Sequence, residues 1–250
     1  MDDLSFATAP SAKLNGKHVL IFGGTSGIGL ATARQAKAAG AVVTVVGSDP
    51  ARTQKAATEH GFSDWRAADI ADPDAIGPAL SSIGTVDHLV LLAGSFIVGT
   101  LYDTDIALFR RAFDERLWAA VHILRTLGDR LAADASITFV SGVAADRPSG
   151  NGTAIIAAAS KAVETLGRGL AQELAPRRVN TISPGPIDTP MLSKALGEGR
   201  DAFVAGLKKQ LPAGRLGTAD EAGNAIIFLM SNGFMTGATI NIDGGMILTS

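Results

Sequence analysis

The sequence predicts a single α/β domain, a doubly wound parallel sheet of about seven strands with helices on both faces. Three observations predict it. Strand-like and helix-like stretches alternate almost end to end through the 250 residues. Most strand-like runs are continuously apolar rather than alternating, as expected of parallel strands covered on both faces. The first run passes directly into a glycine-rich turn that opens a helix.

In chain order the strands are VLIFG (19–23), AVVTVVG (41–47), the weaker DWRAAD (64–69), HLVLLAG (88–94), SITFVSG (136–142), RVNTIS (178–183) and ATINID (238–243). Helical patterns fall between them at 28–39, 50–60, 73–83, 104–133, 153–175 and 218–231. This βαβ rhythm places ligands at the carboxyl ends of the strands, near the point where strand order reverses. The stretch 190–215 reads as a mobile helical excursion carrying Gly197, Gly199, Gly206 and Gly214. Residues 1–13 read as a loose leader, and 14–250 as the one domain. The sequence shows no linker, repeat or low-complexity tract.

Composition excludes several classes of function. The formal charge of −2 leaves no basic field for nucleic acid. With no cysteine there is no disulfide, thiolate metal site or cysteine nucleophile. The four histidines, His18, His60, His88 and His122, lack metal-ligand spacing, so no metal is expected. No apolar run reaches the ~20 residues that span a bilayer, and the acidic start lacks a secretory core. The expectation is a cytoplasmic protein acting on a small molecule.

The turn FGGTSGIG (22–29) carries the first chemistry. Gly23, Gly27 and Gly29 lack the Cβ atoms that would keep a ligand from the backbone. Amides around Thr25, Ser26 and Ile28 can then meet a dinucleotide diphosphate at the start of a helix. An acid at the tip of the second strand would grip ribose hydroxyls and repel a 2′-phosphate. Gly47 and Ser48 stand there instead, with Asp49 two positions beyond the tip. Ser48, Thr25 and Arg52 can bind a phosphate. NADP(H) is therefore favoured, with NAD(H) possible if Asp49 swings in.

These residues resemble the short-chain dehydrogenase/reductase family over nearly the whole chain. GGTSGIG is similar to its TGxxxGIG, and RVNTISPGPIDTPM (178–191) matches closely. GRLGTADEAGNAIIFLMSN and ATINIDGGM also look like the family's last helix and strand. The resemblance implies a Rossmann-type fold, a nicotinamide cofactor and hydride chemistry at a carbonyl or hydroxyl. It implies an adenine contact at Asp69 and Ile70, and passage of the cofactor over Ala93 and Gly94. Pro184, Gly185, Ile187 and Thr189 would flank the nicotinamide. A homo-oligomer, dimer or tetramer, is implied through the long alanine-rich helices 104–133 and 153–175.

The departures concern the chemistry. Leu91 and Leu92 replace two asparagines, and Arg116 stands at the family's helix asparagine. Ala157 occupies the tyrosine position, four residues before the retained Lys161. The serine position falls on Ser141 or, in the simplest register, on Gly142. Lys161 and Ser141 are thus the candidate catalytic residues, and Lys161 is also counted among the residues that would touch the cofactor. Alanine supplies no proton, and loss of a general acid costs ~10²–10⁴-fold. Three replacements stand open. Lys161 can act itself with its pKa depressed by Arg116, unless Arg116 turns outward to Asp114 or Glu115. A water held by Ser141 is the second, and Tyr102 folding in on the loop SFIVGTLYD the third. Asp146 and Arg147 read as an ordinary surface pair. Phe96, Ile97, Val98, Met191 and Leu192 suggest a largely apolar substrate. The readings are an NADP-dependent oxidoreductase of atypical mechanism, an NADP-binding sensor or regulator without turnover, and a non-redox lyase or isomerase.

Overall fold

The computed structural model describes residues 14–249; the leader expected at 1–13 lies outside them. Seven parallel strands form one sheet in the order β3-β2-β1-β4-β5-β6-β9. They are β1 (His18–Phe22), β2 (Val42–Gly47), β3 (Asp64–Ala67), β4 (Val86–Leu91), β5 (Leu131–Val140), β6 (Arg178–Pro184) and β9 (Thr239–Ile242). Between them lie α1 (Gly27–Ala38), α2 (Pro50–His60), α3 (Pro73–Leu80), α4 (Ile106–Phe113), α5 (Ala119–Leu127), α6 (Ala154–Glu173) and α9 (Ala219–Ser231). The chain winds outward from β1 to β3, then returns to lay β4 on the other side of β1. Phe22 pairs with Val46 on one side and Leu91 on the other. A crevice opens above these strand ends because the connections diverge there.

The continuous apolar strands are explained by two cores. Successive side chains point to opposite faces of a sheet. Leu20, Phe22, Leu89, Leu91, Ile137 and Phe139 enter the core under α3 and α5, with Ile76, Leu80, Ile123 and Leu127. Val19, Ile21, Val43, Val45, Val90 and Ile182 face the other way, against Ala33, Ala36, Ile226 and Leu229.

One expectation is corrected and another, the helical excursion, takes shape. The stretch 104–133 is not one helix: α4 passes through a π turn at Asp114–Trp118 into α5, which stops at Leu127. Gly128, at φ +50°, turns the chain out of the helix, and β5 begins at Leu131. The excursion 190–215 resolves into α7 (Pro190–Leu196) and α8 (Arg200–Gln210), with Gly197 at φ +51° between them. It is anchored by Leu207, Leu211 and Leu216 packed with Leu192, Val204 and Met246. The short parallel strands β7 (Ile187–Asp188) and β8 (Gly217–Thr218) pair at its base.

Candidate functional site

The turn after β1 is closed in by main chain and by the side chains of Val45 and Thr189. Gly23 has φ +82°, and a Cβ there would lie 2.8 Å from the Ala93 amide nitrogen. A Cβ on Gly24 would come within 2.6 Å of Val45 Cγ1. On Gly29 it would collide with the Gly23 carbonyl. Gly27, at φ +51°, faces the Thr189 methyl, 3.3 Å from where its Cβ would stand. Ser26 caps α1 in extended conformation and makes no side-chain cap bond. The first amides of α1 are therefore left for an anion at the positive end of the helix dipole. Cradle and helix start fit the diphosphate of a dinucleotide.

At the tip of β2, Asp49 caps α2 and accepts from the Arg52 amide at 2.8 Å. That bond commits the one nearby acid to the helix. Ser48 and Arg52 are exposed at the strand tip, and the Thr25 methyl packs against Gly47.

Beyond β3, Asp69 accepts from Ala71 N at 3.0 Å and from Arg111 Nη2 at 3.2 and 3.1 Å. Ile70 packs against the α3/α5 core. Arg111 Nε also donates to Glu115 Oε1 at 2.7 Å. Glu115 is only 4% exposed and accepts from Ser95 N at 2.5 Å and Ser95 Oγ at 3.0 Å. This chain of charge fixes the segment after Gly94, itself at φ +152°. Arg116 joins it: Nη2 donates to the Ser95 carbonyl at 2.8 Å, while Nη1 is buried without a partner among the described residues. Burial holds the Arg116 guanidinium below its ordinary pKa, against the pull of Glu115. Arg116 thus turns neither to Lys161 nor outward to Asp114 or Glu115.

A second cluster stands over the ends of β5 and β6. Ser141 N donates to Ile182 O at 2.8 Å, holding the end of β5 beside β6. Ser141 Oγ donates to Glu164 Oε1 at 2.7 Å, a far closer acceptor than the Ser160 carbonyl at 3.4 Å. Lys161 Nζ donates to Glu164 Oε2 at 2.8 Å and to Asp146 Oδ1 at 2.5 Å. Asp146 first, then Glu164, raise the Lys161 pKa above the ordinary lysine value, with burial opposing. Of the three replacements left open, a lysine depressed by Arg116 is not what the structure holds: two carboxylates, not a cation, surround it. The surface pair Asp146–Arg147 is also corrected. Asp146 turns to Lys161, and Arg147 Nη1 reaches Met246 O at 2.8 Å and Thr249 Oγ1 at 3.1 Å. Ala157 lies one turn before Lys161 on α6 and is 5% exposed. Tyr102 is 93% exposed and does not fold in.

The two clusters meet across the crest. Gly185 follows β6 so closely against Asp243 that a Cβ would sit 2.7 Å from Asp243 Cα. Ile187 is buried in β7, and Thr189 caps α7 while its methyl touches the Gly27 turn. Thr189 thereby borders the glycine cradle, while Pro184 O lies 3.8 Å from where a Cβ on Gly142 would stand, next to Ser141. Sequence reasoning missed Arg111, Glu115 and Glu164. The available signals were an Arg–Glu pair at i, i+4 and an acid three residues after Lys161 on the buried face of α6. Among the described residues no group of three or more acids or histidines is placed to hold a metal, and no helix is long and apolar enough to cross a membrane.

A family model described as enoyl-(acyl carrier protein) reductase matches residues 23–247. The short-chain dehydrogenase/reductase ucsE of Acremonium sp is 32% identical, over 97% of this chain and 99% of its own. The structure of MalC reductase/Diels-Alderase from Malbranchea aurantiaca superposes with TM-score 0.89 at 27% identity, covering 96% of this chain and 100% of that one. L-sorbose reductase from Gluconobacter frateurii, solved with NADPH and L-sorbose, superposes with TM-score 0.85 at 26% identity, over 95% and 98% of the two chains.

Proposed function

The chain belongs to the short-chain dehydrogenase/reductase family, and from that premise we propose that it is an NADP(H)-dependent oxidoreductase in which Lys161, not a tyrosine, handles the proton. The observation that carries this reading is the count of donors at Lys161. An ammonium has three N–H groups. Asp146 and Glu164 take two of them, which leaves one for a substrate oxygen.

The glycine cradle with Thr25, Ser26 and Ile28 would hold the diphosphate. Ser48 and Arg52 would hold the 2′-phosphate, because Asp49 is spent on its helix cap. Asp69 and Ile70 would face the adenine, Ala93 and Gly94 would let the dinucleotide cross, and Pro184, Gly185, Ile187 and Thr189 would flank the nicotinamide. Bound there, the nicotinamide supplies or accepts hydride. Lys161 then donates its free N–H to the oxygen that gains negative charge in reduction, and takes the proton back in oxidation. Ser141, whose only hydroxyl proton is given to Glu164, presents lone pairs alone. The L-sorbose reductase structure holds NADPH, which supports the cofactor assignment. Exposed Phe96, Val98 and Met191 support a small, largely apolar carbonyl or alcohol substrate. The half-exposed Trp118 and the exposed Ile106 and Leu108 support assembly into a dimer or tetramer through α4 and α5.

Titration calorimetry with all four nicotinamide coenzymes, followed by NADPH consumption across aldehydes, ketones and quinones, tests the reading. Binding of NADPH with steady consumption is the expected result; absence of binding overturns it. The buried Ala157 favours a second reading, a nucleotide-binding regulator, and binding without consumption would establish that one. The likeness to MalC of Malbranchea aurantiaca, a reductase/Diels-Alderase, supports a third, non-redox reading. Product formation without change in cofactor redox state would identify it.

A further inference from the structure

We infer that Glu164 is the positioning residue of Lys161: its carboxylate anchors the ammonium from the protein interior, ties it through Ser141 to the end of β5, and so aims the remaining N–H at the substrate. The inference deepens the proton-handling role of Lys161 proposed above and rests on it.

Glu164 is 2% exposed on α6, one turn beyond Lys161, at the spacing that lets two helical side chains meet. An isolated buried carboxylate is costly unless a cation and hydrogen bonds satisfy it. Here Oε2 takes Lys161 at 2.8 Å and Oε1 takes Ser141 at 2.7 Å. The nicotinamide cradle has no use for this acid, so its burial calls for another explanation.

The two carboxylates on Lys161 are not equivalent. Glu164 stands on a twenty-residue helix packed on the sheet. Asp146 sits at the end of a 3-10 turn over the crest, its side chain about one-third exposed, and can move with that loop. The helix-borne acid therefore fixes the lysine, and the loop-borne acid limits its swing. The other charged groups nearby are committed elsewhere: Arg116 to the Ser95 carbonyl, Arg147 to Met246 O and Thr249 Oγ1. Asp146 and Glu164 are the two charges that act on Lys161.

Competitive acetylation with acetic anhydride, read at the Lys161 peptide by mass spectrometry across pH, tests this on the whole protein without cofactor. Glu164→Gln keeps the shape and removes the charge. It should move the labelling curve to lower pH and raise labelling at a fixed pH below the plateau by roughly three- to tenfold. Glu164→Asp keeps the charge but withdraws it, and should shift the curve less; if the glutamine variant fails to fold, a Glu164→Asp curve identical to wild type overturns the inference. In turnover, Glu164→Gln should lower kcat with little change in KM. An unmoved labelling curve overturns the inference even when Tm falls, because a merely structural carboxylate would change Tm alone. A shifted curve with unchanged kcat overturns it too, by showing a lysine anchored for no catalytic purpose. Should the wild type bind NADPH and consume none, the labelling still decides whether Glu164 anchors Lys161, and the failure belongs to the proton-handling reading.

Discussion

The glycine turn at 23–29 and the charged cluster at 141–164 stand over the same sheet edge, yet they are made of different material. The turn is a shape in backbone: every close approach at Gly23, Gly24 and Gly29 is to a neighbouring main chain or a packed valine. The cluster is an arrangement of charge: Ser141, Glu164, Lys161 and Asp146 are held by three hydrogen bonds between side chains. A backbone shape tolerates almost no change, because any added atom collides. A charge arrangement can be rebuilt with other residues, and here it is built around the buried carboxylate of Glu164. The turn is the half of this molecule constrained by shape, and the cluster the half constrained by charge.

That contrast can be tested at four strengths. Lys161→Met should cut turnover by ~10²–10⁴-fold, the range for a lost proton-transfer group, while NADPH fluorescence still reports binding. If binding disappears together with turnover, the two regions are not separable. Next, acid should strike both regions together through the strand between them. Burial holds His88 of β4 at a pKa of about 4, against 6.5 for the free side chain. Its folded pKa is depressed, so the unfolded chain binds the proton first. Stability is full above pH 6.5 and declines as pH falls toward about 4, by about 3 kcal/mol in all. Urea midpoints at several pH values should show this slope, and His88→Gln should flatten it.

A smaller effect belongs to the turn alone. Gly29→Ala drives a methyl into the Gly23 carbonyl, and overpacking of this kind costs ~1–3 kcal/mol. NADPH affinity should drop about ten- to a hundredfold by calorimetry, with the Lys161 labelling curve unchanged. The smallest concerns the tip of β2. Ser48→Asp restores an acid beside the adenosine ribose and should shift preference from NADP toward NAD by roughly fivefold, read as the ratio of the two dissociation constants.

Most of the scaffold and the cradle were legible because their signals are local. Continuous apolar runs such as VLIFG mark strands buried on both faces, and glycine spacing marks the turn after β1. The reading of 104–133 as one helix failed where a single residue, Gly128, overrides an otherwise helical composition. The electrostatics were less legible because partner choice is long-range. Nothing in the neighbourhood of Asp69 announces Arg111, 42 positions away. A Lys161 depressed by Arg116 is one of three readings the sequence leaves open, yet the lysine pKa is raised by Asp146 and Glu164. The second of these was visible in principle, as an acid on a helix face otherwise buried with Ile156, Val163 and Gly167.

Arg147 fastens the segment above the Ser141–Lys161 cluster to the 3-10 turn at Met246–Leu248 and its cap, through Met246 O and Thr249 Oγ1. A Thr249→Val change, which removes one of the arginine's two acceptors, would slacken that leash from 102 positions away in the sequence.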